Sequence, residues 1–200
     1  MSRTASYLWR AVPIVVAGLL AWPAAGAAQT LTGDAKAVDA TVLGTATTLA
    51  DTGPLASPSD PLEASLDTGA IPSVLSGEAL HAATLGWTDQ VASEAALGNL
   101  GLTLAGTGIS ADSVLARAQS VLGVGSSGSS VIDNLAINGV PVAVTGEPNQ
   151  TISIPGGQVV INEQTFSASG ITVNALHAMV SGLFGPLADV VIASATAGIQ

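Results

Sequence analysis

The sequence predicts an all-β fold, built as an antiparallel sandwich or as stacked or rolled sheets. Short runs of alternating apolar and polar residues recur along the chain, and such alternation is typical of strands with one buried face. Turn-forming dipeptides separate these runs, with Asn138-Gly139 and Pro155-Gly156 as the clearest examples. Glycines also punctuate the chain too often for long helices, because each one weakens a helix. We therefore expect seven or more short strands joined by turns.

The first part of this β-rich region contains predicted strands on both sides of one long loop. Residues 35–50 are expected to form one strand or two. Residues 51–61 are expected to form a loop, because three prolines fix φ and remove backbone donors there. Residues 62–84 are expected to form further short β segments. Those segments are predicted to break at Gly69, Pro72 and Gly77.

Two segments in the middle of the chain combine features of strands and helices. Residues 88–97 fit a short helix, but the glycines around them favour strands. Residues 112–122 have apolar residues at mixed spacings, which leaves both strand and helix open. The Gly/Ser tract near 123–130 is expected to be a flexible loop.

The C-terminal part has the clearest β pattern. Asn138-Gly139 predicts a tight hairpin turn, because both residues tolerate positive φ. Pro141 follows it and marks an edge strand or the first residues of a strand. Pro155-Gly156 predicts a type II turn. Two longer strands are expected at 171–180 and 187–199.

Residues 1–28 have the features of a cleavable N-terminal signal helix. Basic residues without any acidic group precede an apolar run at 11–21, which is shorter than the roughly 20 residues needed to span a bilayer. Small residues follow, so we expect signal peptidase to cleave just before Ala28 or Gln29. The alternative is a retained anchor helix. The prediction is therefore a signal peptide followed by a single extracellular domain at 29–200.

Composition excludes several classes of partner. Residues 29–200 retain only Lys36 and Arg117 against all fourteen carboxylates, a formal charge near −12. Such a surface repels nucleic acid and anionic lipid, because both bind through Lys and Arg. The chain has no cysteine, which excludes disulfides and thiol-linked lipid. Few aromatic residues remain after the leader, so we expect an aliphatic core and, after cleavage, no stable membrane span.

Two pairs of similar segments suggest an internal relationship. Residues 78–82 resemble residues 174–178, and both copies contain Ala-Leu-His-Ala. Residues 111–116 resemble residues 188–193 in the same way. Two explanations stay open, namely two related halves that pack together and chance similarity in an alanine-rich chain.

A longer series of segments near the C-terminus resembles a known family. The series consists of SVIDNLAINGVPV at 130–142, PNQTI at 148–152, PGG at 155–157, VVINEQ at 159–164, ITVNALH at 171–177 and ADVVIASA at 188–195. In this order the segments resemble the bacterial choice-of-anchor P family of exported surface proteins. The resemblance implies a secreted or surface-held protein and implies no activity. No sorting motif or apolar tail follows the last strand, so we expect release, or attachment through a partner.

The two histidines of the chain are the first candidates for a site. His81 and His177 are candidates for a pair of metal ligands or for a general base, and Glu78 lies three residues from His81. The alternative is that each histidine is a hydrogen-bonded, partly buried strand residue. The spacing does not match a ligand motif such as HExxH, which favours this alternative.

Carboxylates, one tryptophan and one sequon are the other candidates. Asp51, Asp60 and Glu63 are candidate Ca²⁺ ligands, with solvated acidic surface as the alternative. Trp87 is a candidate sugar platform, with a core or rim aromatic as the alternative. Asn149-Gln150-Thr151 fits a glycosylation sequon, although a turn entering a strand explains it better.

These observations predict a non-enzymatic exported surface or extracellular-matrix protein with a structural or interaction role. The serines at 125–130 lack the G-x-S-x-G arrangement of a nucleophile, and no catalytic, cofactor-binding or metal residue is assigned. The expected partners are a cell-wall component, another protein or a second copy of the chain. The alternatives are a small-ligand, glycan or calcium binding module and, after it, an extracellular hydrolase using carboxylates or a histidine.

Overall fold

The computed structural model describes residues 29–183 and 185–200, and the predicted signal peptide lies outside the described residues. Within these residues the chain forms thirteen β-strands and no helix, so it contains no helix that could cross a membrane. In chain order the strands are β1 Leu31–Val42, β2 Thr45–Asp51, β3 Leu62–Ile71, β4 Leu75–Gly86, β5 Gln90–Leu104, β6 Thr107–Val121, β7 Gly125–Asp133, β8 Ala136–Ile137, β9 Val140–Pro141, β10 Gln150–Ile154, β11 Gly157–Phe166, β12 Gly170–Gly182 and β13 Gly185–Ile199.

The strands form two antiparallel sheets. Sheet A has the order β10-β11-β12-β13-β1-β2, and sheet B has the order β3-β4-β5-β6-β8-β9, with β7 also paired to β6. The first and last strands are neighbours in sheet A, where Leu31 pairs with Ile199 and Val42 pairs with Ala188. Sheet A therefore forms only when both ends of the domain meet, which costs the entropy of closing a long loop. The predicted all-β antiparallel fold is confirmed.

The sheets pack face to face over an aliphatic core. β13, in the middle of sheet A, lies against β5 and β6 of sheet B, and β1 lies against β4. The largest fully buried side chains are leucine, isoleucine and valine, and no aromatic side chain of the described residues is buried. Burying one such aliphatic side chain contributes roughly 1.5–3 kcal/mol. The prediction of an aliphatic core is confirmed.

Small and hydroxylated residues bring the sheets close together near the start of β1. A Cβ on Gly33 would lie 2.8 Å from Thr84 Cγ2 and 2.9 Å from Val91 Cγ1, so a larger residue does not fit. Ser93 Oγ of β5 donates a hydrogen bond of 2.6 Å to Thr196 O of β13. This buried hydroxyl links the two sheets, and the bond avoids the cost of an unpaired polar group.

The predicted breaks at Gly69 and Gly77 are wrong, whereas the break at Pro72 is confirmed. Both glycines lie inside strands, and they pair directly with one another across β3 and β4. A Cβ on Gly69 would lie 2.7 Å from Leu80 Cδ2. Glycine is therefore present here to make room for a core leucine rather than to form a turn.

The two segments with mixed features are both strands. Residues 90–104 form β5 and residues 107–121 form β6, and buried and exposed positions alternate along both. The preference for strands at 88–97 is confirmed. In the segment 112–122, Val114, Ala116 and Ala118 all point into the core, which is the two-residue period of a strand.

The Gly/Ser tract near 123–130 is not a flexible loop, and this prediction is wrong. Only a short turn precedes Gly125, where β7 begins and pairs with β6. A Cβ on Gly128 would lie 2.2 Å from Val173 Cγ2 of β12, so the tract is packed between the sheets. Gln164 Nε2 also donates a hydrogen bond of 3.1 Å to Gly128 O. This bond covers part of the edge strand β7.

The two predicted hairpin turns are confirmed. Asn138 and Gly139 have φ of 51° and 76° and join β8 to β9. Gly156 has φ of 73° and, with Pro155, joins β10 to β11. Pro141 lies in β9, an edge strand of sheet B. Proline has no N–H to donate to a further strand, and the predicted edge position follows from this.

The pairs of similar segments lie in strands with different neighbours. Leu80 in β4 and Leu176 in β12 are both buried, and the histidine after each leucine is partly exposed. The second pair of segments lies in β6 and β13. β12 and β13 are adjacent in sheet A, whereas β5 separates β4 from β6 in sheet B. The strand order does not repeat, and a relationship between two halves stays a prediction from the sequence.

Residues with positive φ interrupt the ladder pairing in the middle of both sheets. In sheet A they are Asn162, with φ of 52°, and Ala193, with φ of 54°, and neither has a cross-strand partner although the register is the same on both sides. In sheet B they are Ala79 and Asn99, each with φ of 49°, and the register of β4 and β5 shifts beside them. The left-handed conformation costs roughly 1–2 kcal/mol for a residue with a Cβ. In β13 the adjacent residues Ile192 and Ala193 are both buried, so the alternation of buried and exposed side chains changes phase at this position.

Candidate functional site

A row of polar residues crosses the outer face of sheet A, with one residue from each of five neighbouring strands. In strand order the row is Glu163, Asn174, Ser194, Lys36 and Asp51. Asn174 Nδ2 donates to Glu163 Oε2 at 2.7 Å, and Ser194 Oγ donates to Asn174 Oδ1 at 2.7 Å. These polar groups therefore satisfy one another along the sheet.

His177 lies on the same face, between two carboxylates. Its Nδ1 is 2.8 Å from Glu163 Oε2, and its Nε2 is 3.0 Å from Asp189 Oδ1. Only the doubly protonated ring donates to both carboxylates. The carboxylates approach different ring nitrogens, so they do not share one coordination point with the ring. Among the described residues, no group of three or more histidines and carboxylates is placed to hold a metal ion.

His81 lies on the opposite side of the molecule, on the outer face of sheet B. Its Nδ1 is 3.7 Å from Glu63 Oε1, which is beyond hydrogen-bond distance. Glu78, its neighbour in sequence, instead accepts a hydrogen bond of 2.6 Å from Asn99 Nδ2. Both sheets lie between His81 and His177, so the structure does not bring these two candidate metal ligands together. The alternative of a hydrogen-bonded, partly buried strand residue is confirmed for His177.

Replacing His177 with alanine is expected to lower the free energy of unfolding by about 1–2 kcal/mol. Hydrogen bonds to charged groups contribute about 1.5–3 kcal/mol, and the exposure of Asp189 reduces this value here. Urea unfolding of residues 29–200 measures the change. His81→Ala is the matched control, with an expected change within about 0.5 kcal/mol. Equal losses in the two variants would contradict the role assigned to the paired carboxylates.

Lys36 is surrounded by carboxylates on the outer face of sheet A. Its Nζ lies 3.3 Å from Asp39 Oδ2 and 3.7 Å from Asp34 Oδ2. Partial burial disfavours the charged ammonium, but the hydrogen bond to Asp39 and the charges of Asp39, Asp34 and Asp51 outweigh it. The pKa of Lys36 therefore lies above its ordinary value.

The domain is expected to lose stability as the pH rises through the alkaline range. The pKa of Lys36 is higher in the folded state, so the charged ammonium stabilises the fold. This contribution to the free energy of unfolding is complete below the unfolded pKa of about 10.4. It is lost as the pH rises through the folded pKa. Residues 29–200 contain no other lysine, no tyrosine and no cysteine, so no other side chain titrates in this range.

Urea midpoints at about pH 9 and about pH 11.5 measure this loss. The wild-type midpoint should be lower at the higher pH, and Lys36→Met should remove most of the difference. Lys36→Met with the pH dependence of the wild type would contradict the assignment to Lys36.

The three predicted calcium ligands have separate surroundings. Asp51 ends β2, and its Oδ1 accepts a hydrogen bond of 2.7 Å from Gly53 N. This bond stabilises the turn that follows β2. Asp60 lies in the predicted loop, which crosses from sheet A to sheet B at 52–61. Glu63 lies on the outer face of sheet B beside His81. The structure therefore places the Asp51 carboxylate in a turn and the Glu63 carboxylate beside His81.

An open trough of about 590 Å³ lies on the outer face of sheet B. Ala83, Glu94, Arg117 and Ser129 line it as cross-strand partners in four neighbouring strands. Arg117 Nε donates to Glu94 Oε2 within the trough. Neither histidine lines it. No pattern in the sequence indicated this trough, although Arg117 stands out as one of only two cations after the leader.

Trp87 and the sequon both lie in turns. Trp87 lies between β4 and β5 with 44% of its surface exposed, so it is not a core aromatic, and the sugar platform and the rim aromatic both stay predictions from the sequence. Asn149 has φ of 61°, and its Oδ1 accepts 3.0 Å from Gln164 N directly before β10. The interpretation of the sequon as a turn entering a strand is confirmed.

Comparisons of the chain with protein-family models, with curated proteins and with solved structures found no match. The resemblance to the choice-of-anchor P family therefore stays a prediction from the sequence.

Proposed function

We propose that this protein is exported from the cell and serves, without enzymatic activity, as a surface or extracellular-matrix protein with a structural or interaction role. The observation that supports the proposal is the mutual pairing of polar side chains across both outer faces. On sheet B the pairs, each at 2.6 Å, are Asn99 with Glu78, Ser113 with Asp133 and Asn134 with Asp112. Such cross-strand pairs stiffen a sheet and hold its polar groups in a fixed pattern, which suits a scaffold or a docking surface.

Export is tested by cell fractionation combined with N-terminal sequencing. We expect the protein outside the cytoplasm, with Ala28 or Gln29 as its first residue. A matched control carries Val15→Arg and Val16→Arg, because charges in the apolar run block insertion of the leader. Cytoplasmic protein that still begins at Met1 would overturn the proposal.

The trough on sheet B favours a second candidate function, binding of a small ligand or a glycan. Its one carboxylate, Glu94, is held by Arg117, so calcium binding rests on the sequence alone. Arg117 and Glu94 supply charged groups there, while Ala83, Leu85 and Ala92 supply apolar contact. A ligand that binds the folded state raises the midpoint of thermal unfolding. We would measure this midpoint with calcium and with a glycan set, for the wild type and for Arg117→Gln. An unchanged wild-type midpoint across the whole set would remove this candidate.

An extracellular hydrolase that used a histidine, one form of the third alternative, would need that histidine beside a carboxylate in a cavity. His177 contacts two carboxylates, but on the outer face of sheet A, and the trough on sheet B is lined by neither histidine. These contacts favour a structural role for His177, and we therefore propose a protein without enzymatic activity.

A further inference from the structure

We propose that one end of the sandwich docks on a lipid bilayer without net charge and holds the domain at the membrane surface. This end, called here the apolar end, is defined by four exposed side chains, Trp87, Leu122, Val124 and Phe166. The inference rests on the proposed function, because it explains how an exported protein is retained at a surface.

The four side chains lie in or beside three turns at the same end of both sheets. Trp87 lies in the turn between β4 and β5, and Leu122 and Val124 lie in the turn between β6 and β7. Leu122 N donates a hydrogen bond of 2.8 Å to Asp89 O, and this bond joins the two turns of sheet B. Val124 and Phe166 line one groove of about 410 Å³, which connects sheet B to the turn after β11. Exposed apolar side chains that adjoin in this way mark an interaction surface.

The leader joins the domain at the same end. Gln29 Nε2 donates a hydrogen bond of 2.7 Å to the backbone oxygen of Thr88, the residue after Trp87. Residues 22–28 separate Gln29 from the apolar run at 11–21, and these seven residues reach at most about 25 Å when extended. Until the leader is cleaved, the apolar end is therefore the end of the sandwich nearer to the bilayer that holds this run. The opposite end of the sandwich is farther away by the length of β13, whose 15 residues extend about 50 Å.

The chemistry of the apolar end selects the type of lipid. Tryptophan and phenylalanine favour the interface between lipid headgroups and acyl chains. The turns at 86–90, 122–124 and 167–169 contain no lysine or arginine, and Asp89 is their one charged residue. The domain as a whole has a charge near −12, which opposes binding to anionic lipid. The expected partner is therefore a phosphatidylcholine or phosphatidylethanolamine surface.

Vesicle binding by purified residues 29–200 tests the proposal, with Trp87 as the probe because it is the sole tryptophan after the leader. With phosphatidylcholine vesicles, its emission should shift to shorter wavelength and brominated lipid should quench it. The double variant Val124→Ser, Phe166→Ser should partition roughly 100-fold more weakly, about tenfold for each side chain. Adding phosphatidylglycerol to the vesicles should weaken binding, and salt should restore part of it.

A matched control carries Leu43→Ser and Leu183→Ser, two exposed leucines in the turns after β1 and after β12. It should keep the partitioning of the wild type, and urea midpoints show that each variant is folded. Equal partitioning of the two double variants would overturn the proposal, and so would Trp87 emission that does not respond to vesicles. A change in sedimentation of the lipid-free Val124→Ser, Phe166→Ser domain would assign the apolar end to a second copy instead. Because the purified domain is used, these results do not depend on export.

Discussion

Replacing Gly128 with valine is expected to lower the free energy of unfolding by about 3 kcal/mol, at the upper end of the usual cost of overpacking. A Cβ at this position would lie 2.2 Å from Val173 Cγ2 and 3.0 Å from Arg117 O. β7 cannot move aside alone, because it is paired with β6 along its whole length. The new side chain must therefore separate β7 from β12 or distort the β6–β7 ladder.

Urea unfolding of residues 29–200 measures this effect, and Ser127→Val is the matched control. Ser127 is adjacent in β7 but exposed, and it lines the outer trough. Its replacement should change stability by no more than about 0.5 kcal/mol. If Gly128→Val unfolded at the midpoint of Ser127→Val, the Gly/Ser tract would not be packed between the sheets.

Truncating Leu176 to alanine is expected to cost about 2–5 kcal/mol. Leu176 is fully buried in β12, and its cross-strand partners Ile161 and Ile192 are fully buried as well. Because hydrogen-bonded strands hold β12 on both sides, the surrounding backbone cannot collapse into the cavity. The cost therefore includes both lost transfer energy and an unfilled void.

Leu43→Ala is the matched control, since Leu43 has 76% of its surface exposed in the turn after β1. It should change the urea midpoint little, with an effect within about 0.5 kcal/mol. Leu80→Ala should cost as much as Leu176→Ala, because Leu80 is buried in the same way in sheet B. A loss below about 1 kcal/mol for Leu176→Ala would contradict the packing of β12 against sheet B.

The two proposals assign different parts of the surface to different roles. If the apolar end docks on a bilayer, the strands point away from it and both outer faces stay open to partners. The polar row on sheet A and the trough on sheet B would then face sideways, towards a cell-wall component, another protein or a second copy.

Several features were predictable because they depend on neighbouring residues. Asn138-Gly139 forms a hairpin turn because both residues accept positive φ, and Pro155-Gly156 forms a turn for a related reason. The two-residue alternation of β12 and β13 identified them as strands before any contact was known. In each case the local chemistry and the final structure agree.

The candidate site was less predictable, because its contacts join residues far apart in sequence. Glu78 was chosen as the partner of His81 by proximity in the chain, yet the cross-strand register brings Glu63 to His81. The partners of His177 come from β11 and β13, on either side of its own strand. Ala193 of β13 has positive φ and no cross-strand partner, and nothing in an alanine-rich segment predicts which alanine adopts this conformation.

The β class, the aliphatic core, the two hairpin turns and the strongly negative charge all follow from the amino-acid sequence. These properties depend on composition, on the period of apolar residues and on local φ preferences. The tertiary structure, in contrast, shows that Gly69 and Gly128 serve packing rather than turns, that the two histidines lie on opposite faces, and that the turns carrying Trp87, Val124 and Phe166 share one end of the sandwich. Strand register and sheet packing are set by contacts between distant segments, which no local pattern encodes.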